Sequence, residues 1–362
     1  LTALVQRFAV LGFDAARPEG ERIIFCDGAG GRLFHEDTDL ELSHWRPNRT
    51  PVEYRAATST EICFRFLDAP RVGGWTVAVN NHLDVDGILS VYTLVHRDQA
   101  LSRRTELIQA AEMGDFWEWG DPPAQRVFQG LTQLIHQEQE MGLDATTIYA
   151  NAFTSIPHLL EGADPAGRLI DASLAPLRHG VDLVEQGKIV RSLLSERLAH
   201  YVVPVGVVGD DPDRALYIPG FNEEISDAAL LWPHVRARWD AERVCLVSVE
   251  SPGGWFHGLW MPGYLWADTA GRWRTPGVEF HDGMEGYEVI HPPLVRAWQD
   301  LQMHETARGV WSLANQAFAF QADLQDRFPL TGRFVDDAGR WAPSRLSPHQ
   351  VAVRLMDVFA SW

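Results

Sequence analysis

Residues 75–96, WTVAVNNHLDVDGILSVYTLVH, constrain the fold more than any other stretch of the chain. The run WTVAV is apolar and β-branched, as a strand is. Ile88, Leu89, Val91, Tyr92, Leu94 and Val95 recur instead at a period close to 3.6, which predicts a helix with an apolar stripe. A strand that passes into a helix through so short a turn is the unit of an α/β sheet.

The turn itself carries His82, Asp84 and Asp86 at alternate positions. In an extended segment alternate side chains point the same way, so these three project together while Leu83 and Val85 face the opposite side. Two carboxylates and an imidazole held that close repel one another unless a cation or strong hydrogen bonds compensate, and a divalent metal is the simplest compensator. Gly87 permits a tight entry into the helix, whose first N–H groups point back toward the carboxyl end of the strand, where α/β sheets bind ligands. Oxygen ligands with one imidazole suit Mn²⁺ or Mg²⁺, the imidazole favouring Mn²⁺. The competing assignment is that the acids cap the helix that follows.

The rest of the sequence predicts a parallel-sheet domain over residues 1–200, with a large helical region over about 101–200, and a mixed α+β domain over 201–362. Short apolar runs at 22–26 and 39–42, separated by DGAGG, read as strands joined through a glycine turn. TPVEYRAATSTEICFRFLDAP reads as a helix. Pro122 and Pro123 mark another helix start, where the missing N–H costs nothing. Near residue 200 the pattern changes to β-branched runs bounded by Gly, Pro and Asp, and beyond it helices are expected at 227–239, at about 293–327 with room for breaks, and at 347–360.

The order strand, His-x-Asp-x-Asp-Gly, helix resembles the first motif of the DHH phosphoesterase superfamily. The resemblance implies a two-metal centre with His82, Asp84 and Asp86 among its ligands, and metal-assisted hydrolysis of a phosphoester or phosphoanhydride. By the same resemblance Asp115, in AAEMGDF, stands for the aspartate that ends a later strand, and His257, in SPGGWFHGLW, for a substrate-reading histidine in a glycine-rich stretch. The name-giving Asp-His-His triplet is absent from the chain. Asp84-x-Asp86-Gly87 is also similar to the start of a haloacid-dehalogenase phosphatase, with Asp84 as nucleophile and Lys188 and GDDPD at 209–213 in a suitable order for its later motifs. A relative that keeps a ligand pocket without turnover is a third expectation.

Arg46 and Arg49, in the irregular LSHWRPNRTP, are candidates for holding phosphate, since a guanidinium forks onto its oxygens. The net charge of −18 opposes binding of long nucleic acid and favours a small phosphorylated substrate or a short oligonucleotide. Three cysteines without CxxC spacing, no apolar run of membrane-spanning length and no basic start followed by an apolar stretch lead to the expectation of a cytoplasmic protein without a membrane partner.

Overall fold

The computed structural model of the chain describes residues 5–12, 15–18, 20–69, 74–163, 170–209, 211–280, 287–289, 291–313, 316–317 and 330–359. Two compact units emerge. The first comprises Leu1–Leu174 with Phe221–Ile225 and Ala267–Arg272, and the second the remainder.

The first unit is built on a four-stranded, all-parallel sheet of β1 (Arg7–Val10), β2 (Ile23–Cys26), β3 (Leu40–Leu42) and β4 (Val77–Asn80), in the order β1-β4-β2-β3. The two inner strands, β2 and β4, are buried at every position, which is why they read as unbroken apolar runs rather than as alternating ones. Helix α1 (Ser59–Asp68) connects β3 to β4. It starts later than the apolar spacing suggests because Thr58 caps it, accepting from the Glu61 N–H, while Pro51–Tyr54 is closed as a turn by a Tyr54 N–H to Pro51 carbonyl bond of 2.9 Å.

After β4 the chain is helical: α2 (Val85–Val95), α3 (Arg97–Leu101), α4 (Arg104–Phe116), α5 (Pro122–Glu140), α6 (Ala145–Leu160) and α7 (Ile170–Ser173). Helix α2 buries every residue from Val85 to Leu94, and α5 starts on its two prolines as the sequence indicates.

In the second unit α8 (Ala175–Glu185) is followed by β5 (Val190–Ser195) and β6 (Leu198–Val203), then α9 (Val205–Val208) and α10 (Pro233–Asp240). These are followed by β7 (Val244–Ser251), β8 (Gly254–Trp260), β9 (Val278–Phe280), β10 (Tyr287–Val289), α11 (Pro292–His304), β11 (Val310–Leu313), β12 (Gln316–Ala317), β13 (Leu330–Val335) and α12 (Pro348–Met356). Six strands form one mixed sheet, β11-β13-β8-β7-β6-β5, in which only β6 and β7 pair in parallel, and β12-β10-β9 form a small antiparallel sheet. The glycines at 253 and 254 turn the β7–β8 hairpin, Gly254 at φ 139°.

Two expectations are corrected here. The helical region does not run to 200: β5 pairs antiparallel with β6, and the pairing overrides the helical spacing of IVRSLLSERL. Of the helices expected at 293–327, α11 stops at His304 and Val310–Leu313 is a strand, while 314–315 and 318–329 lie outside the described residues. The fold class is nonetheless the one expected, a parallel-sheet α/β unit with a second mixed α+β unit.

Candidate metal centre

In a parallel sheet every strand ends at the same edge, so residues that directly follow β2, β3 and β4 meet there whatever their separation in sequence. Asp27 follows β2, His44 lies two residues beyond β3, and His82 and Asp84 lie in the turn after β4.

Asp27 takes the left-handed backbone conformation at φ 62°, which aspartate tolerates better than most residues. Its N–H still donates to Leu42 at 3.0 Å, and its carbonyl accepts from the Ser43 hydroxyl. The carboxylate is fully buried. Oδ1 accepts from Ser59 Oγ at 2.8 Å and from the Trp45 indole N–H at 3.2 Å, and Oδ2 lies 2.8 Å from His82 Nε2.

His44 is also fully buried. Its Nδ1 is 2.6 Å from the Ala57 carbonyl, which can only accept, so that nitrogen carries the proton. Nε2 then faces three carboxylate oxygens, Asp115 Oδ2 at 3.3 Å, Asp27 Oδ1 at 3.5 Å and Asp86 Oδ2 at 3.7 Å. With Nδ1 committed, Nε2 is the ring nitrogen that faces the carboxylates and is available as a metal ligand.

The turn after β4 divides its side chains between two places rather than projecting them together. The strand ends at Asn80 and the helix begins at Val85, so the extended geometry that aligns alternate residues does not persist to Asp86. Asp84 is the N-cap of α2, its Oδ1 accepting from Gly87 N at 2.7 Å, so the capping assignment holds for this residue. Its Oδ2 is 2.8 Å from His82 Nε2. His82 Nδ1 sits 2.7 Å from Asn81 Oδ1. Asp86, inside the first turn of α2, reaches the amino end of α1, where the Ser59 and Thr60 N–H groups donate to its two oxygens at 2.7 and 2.8 Å.

Asp115 joins the cluster from a different element than expected. It ends no strand and lies in no loop: α4 continues past Gly114 and stops only where Trp117 turns left-handed at φ 53°. Gly114 packs closely there, since a Cβ would lie 3.1 Å from Asn222 Oδ1 and 3.3 Å from the Val85 Cβ.

The electrostatics are those of crowded anions. Burial and the neighbouring Asp27 charge push the Asp86 carboxyl above its usual range, against the pull of His44 and Thr60. Burial, then Asp86, Asp84 and Asp27, push Asp115 up much further. Burial disfavours a charged His82, but the Asp84 and Asp27 carboxylates outweigh it and hold the imidazole well above its ordinary value. No arginine or lysine pairs with Asp27, Asp84 or Asp86 among the described residues.

Two sets of ligand-capable atoms result, Asp27–His82–Asp84 and Asp27–His44–Asp86, each with its members within 4.8 Å of one another. The donor set, carboxylates with one imidazole in each group, fits a hard or borderline divalent cation. Asp27 belongs to both groups.

Of the residues singled out in the sequence, His82 and Asp84 lie in one group, and Asp86 and Asp115 lie at His44 in the other. Arg46 and Arg49 are instead engaged with acids: Arg46 pairs with Asp268 at 3.0 Å and Arg49 with Glu36 at 3.0 Å. In so acidic a chain a loop guanidinium finds a carboxylate nearby, and the residues of that loop that reach the cluster are His44 and Trp45. His257 lies on β8 of the second unit, buried, with Nδ1 2.8 Å from Ser248 Oγ and Nε2 3.0 Å from the Leu346 carbonyl. Lys188 and residues 211–213 also belong to the second unit, and Asp210 lies outside the described residues.

Asp27 and His44 carried no comparable sequence motif. The signal that could have found them is positional: each follows a short apolar strand, at the end where a parallel sheet places the residues after β4 as well.

A family of unknown function, DUF6687, matches residues 6–173, the segment that supplies all six ligand-capable side chains described above. No curated protein and no solved structure matches the chain. No helix among the described residues is long and apolar enough to cross a membrane.

Proposed function

We propose that the chain is a metal-dependent phosphoesterase acting on a small phosphoester or phosphoanhydride, with two divalent cations, Mn²⁺ or Mg²⁺, as its cofactor. The observation that carries this reading is the position of Asp27, whose one carboxylate belongs to both three-residue groups and so offers a bridge between two ions. The resemblance of residues 82–87 to the first DHH motif agrees with it, although the Asp-His-His triplet is missing.

A divalent pair, once bound, lowers the pKa of water and offsets the negative charge of phosphate oxygens. The chain's own contribution is to fix the ligands beforehand. The Ala57 carbonyl and Asn81 side chain orient the two imidazoles through Nδ1 and leave each Nε2 facing the carboxylates. The Ser59, Thr60 and Gly87 amides lock the Asp86 and Asp84 carboxylates, and Ser59 Oγ with Trp45 Nε1 locks Asp27. The net charge of −18 supports a small substrate over long nucleic acid.

The test is elemental analysis of the purified protein after incubation with Mn²⁺, alongside hydrolysis of bis-p-nitrophenyl phosphate and of pyrophosphate. Two ions per chain and manganese-dependent turnover of either substrate are expected. Failure to bind any divalent ion refutes the reading, and ions without turnover of phosphodiesters or pyrophosphate leave a binding protein in its place.

A further inference from the structure

Next to the metal-ligand groups, within the same unit, lies a cavity of about 370 Å³ lined by Leu11, Gly12, Phe25, residues 28–33 and Val79–Asn81. It shares two walls with the cluster through chain continuity: Gly28 directly follows Asp27, and Asn81 directly precedes His82. Asn81 ties the walls together, since Nδ2 donates to the Ala29 carbonyl at 3.3 Å while Oδ1 faces His82 Nδ1 at 2.7 Å. A side chain at position 28 would overlap the Asn81 amide, so the glycine there is required by this join.

The lining defines the ligand. Phe25, Val79, Leu11 and Leu33 form an apolar wall that continues into the core of the sheet. The lining includes one charged residue, Arg32, and no acid. The N–H groups of Ala29 and Gly31, both lining residues, have no protein acceptor among the described residues, so each can donate to water or to a ligand. Gly12 and Gly31 are exposed lining residues, and a Cβ at either would meet nothing within 4 Å, so the lining is open to solvent on their side. Apolar walls with a few polar groups, at the small end of the roughly 300–1,000 Å³ typical of ligand pockets, suit an uncharged ring system with acceptor atoms on its edge.

Resting on the phosphoesterase reading, we infer that this glycine-loop cavity receives the nucleoside half of a nucleotide whose phosphate lies at the metal-ligand groups. The substrate class is then a nucleoside phosphoester rather than an inorganic phosphoanhydride, and recognition of the organic half belongs to the loop at 28–33.

The test compares AMP with inorganic phosphate, each titrated calorimetrically into the full chain loaded with Mn²⁺. AMP is expected to bind at least tenfold more tightly than phosphate. Gly12→Leu, which adds an isobutyl group to the lining from an exposed position without left-handed backbone, and Leu33→Asp, which places an anion on its wall, should each lower the ratio of AMP to phosphate affinity at least tenfold at equal manganese content. An AMP affinity no greater than that of phosphate, or a ratio that neither variant changes, overturns the inference while leaving the metal centre standing. Should the wild-type chain hold no manganese, the phosphoesterase reading falls by itself and adenosine becomes the probe. Adenosine binding abolished by Gly12→Leu then supports a nucleoside pocket, and no adenosine binding overturns it.

Discussion

Asp27→Asn is the sharpest perturbation of the proposed centre because it changes one charge and almost no shape. An asparagine carbonyl can accept the same bonds from Ser59 Oγ and Trp45 Nε1, and asparagine tolerates the φ of 62°. Without metal two effects oppose each other: the variant removes a buried charge that raises the Asp86 and Asp115 carboxyls, and it loses the contact of Asp27 Oδ2 with His82 Nε2 at 2.8 Å, so its stability should stay close to that of the wild type. With metal the two separate. Each ion at a free concentration roughly one hundred times its dissociation constant stabilises the folded chain by about 2.7 kcal/mol, so two contribute on the order of 5 kcal/mol. For a unit of this size that corresponds to a rise in melting temperature of about 10–20 °C. The assay is thermal unfolding with and without Mn²⁺, combined with elemental analysis. Wild type should show the rise and two ions, and Asp27→Asn neither. An equal manganese-induced rise in both proteins would refute the bridging role, and a metal-free variant much less stable than wild type would show that Asp27 serves the fold instead.

Single removals on either side should separate the two groups. His44→Ala and His82→Ala are each expected to reduce the manganese content from two ions per chain to one, and together to none; one ion lost in both from the same site, read by competition with a paramagnetic probe, would contradict two groups. Gly87→Ala places a methyl group that overlaps Asn80 Nδ2 and comes within 2.7 Å of Asp84 Oδ1, so a stability loss of about 1–3 kcal/mol is expected in denaturant unfolding, with weakened metal binding. In the second unit, His200 and His257 are each held down to about 4, by burial first, with the neighbouring His257 adding to the effect at His200. Above pH 6.5 both are neutral folded or unfolded. Between 6.5 and about 4 only the unfolded chain takes up these protons, so stability should fall by about 1.4 kcal/mol per pH unit for each imidazole. Denaturation midpoints of wild type and His257→Gln at pH 7, 6 and 5 measure this, and parallel curves would exclude it.

The strand–turn–helix at 75–96 was readable because both periodicities are intact: β4 is buried throughout and α2 is nearly so, and neither depends on distant contacts for its pattern. The metal-ligating character of His82, Asp84 and Asp86 was readable too, but not their division. That depends on where the helix begins, and α2 begins at Val85 because Asp84 caps it and Gly87 fits beneath Asn80 and Tyr149. Asp27 and His44 were hidden for a topological reason. Sequence gives neither strand order nor direction, and the parallel pairing of β2 with both β3 and β4 is what brings residues 27, 44 and 82 to one edge. IVRSLLSERL was read as helix because its local spacing allows it, whereas pairing with β6 decides its conformation. In both failures the missing information is a partner far along the chain.

The same topology explains how a fold can hold so many buried acids. A carboxylate removed from water needs hydrogen bonds or a counter-charge. Here the backbone meets part of that need: α1 supplies two amides to Asp86, and α2 supplies one to Asp84, each from a helix amino end that carries partial positive charge. These donors hold the two carboxylates in place through both oxygens of Asp86 and through Asp84 Oδ1, which leaves Asp84 Oδ2 toward His82 Nε2. Protons meet the remaining need in the ion-free chain, which is why Asp115, Asp86 and His82 all shift toward their protonated forms together. A divalent ion competes for those same positions, so uptake should release protons, and metal affinity should rise with pH until the last of these groups is deprotonated.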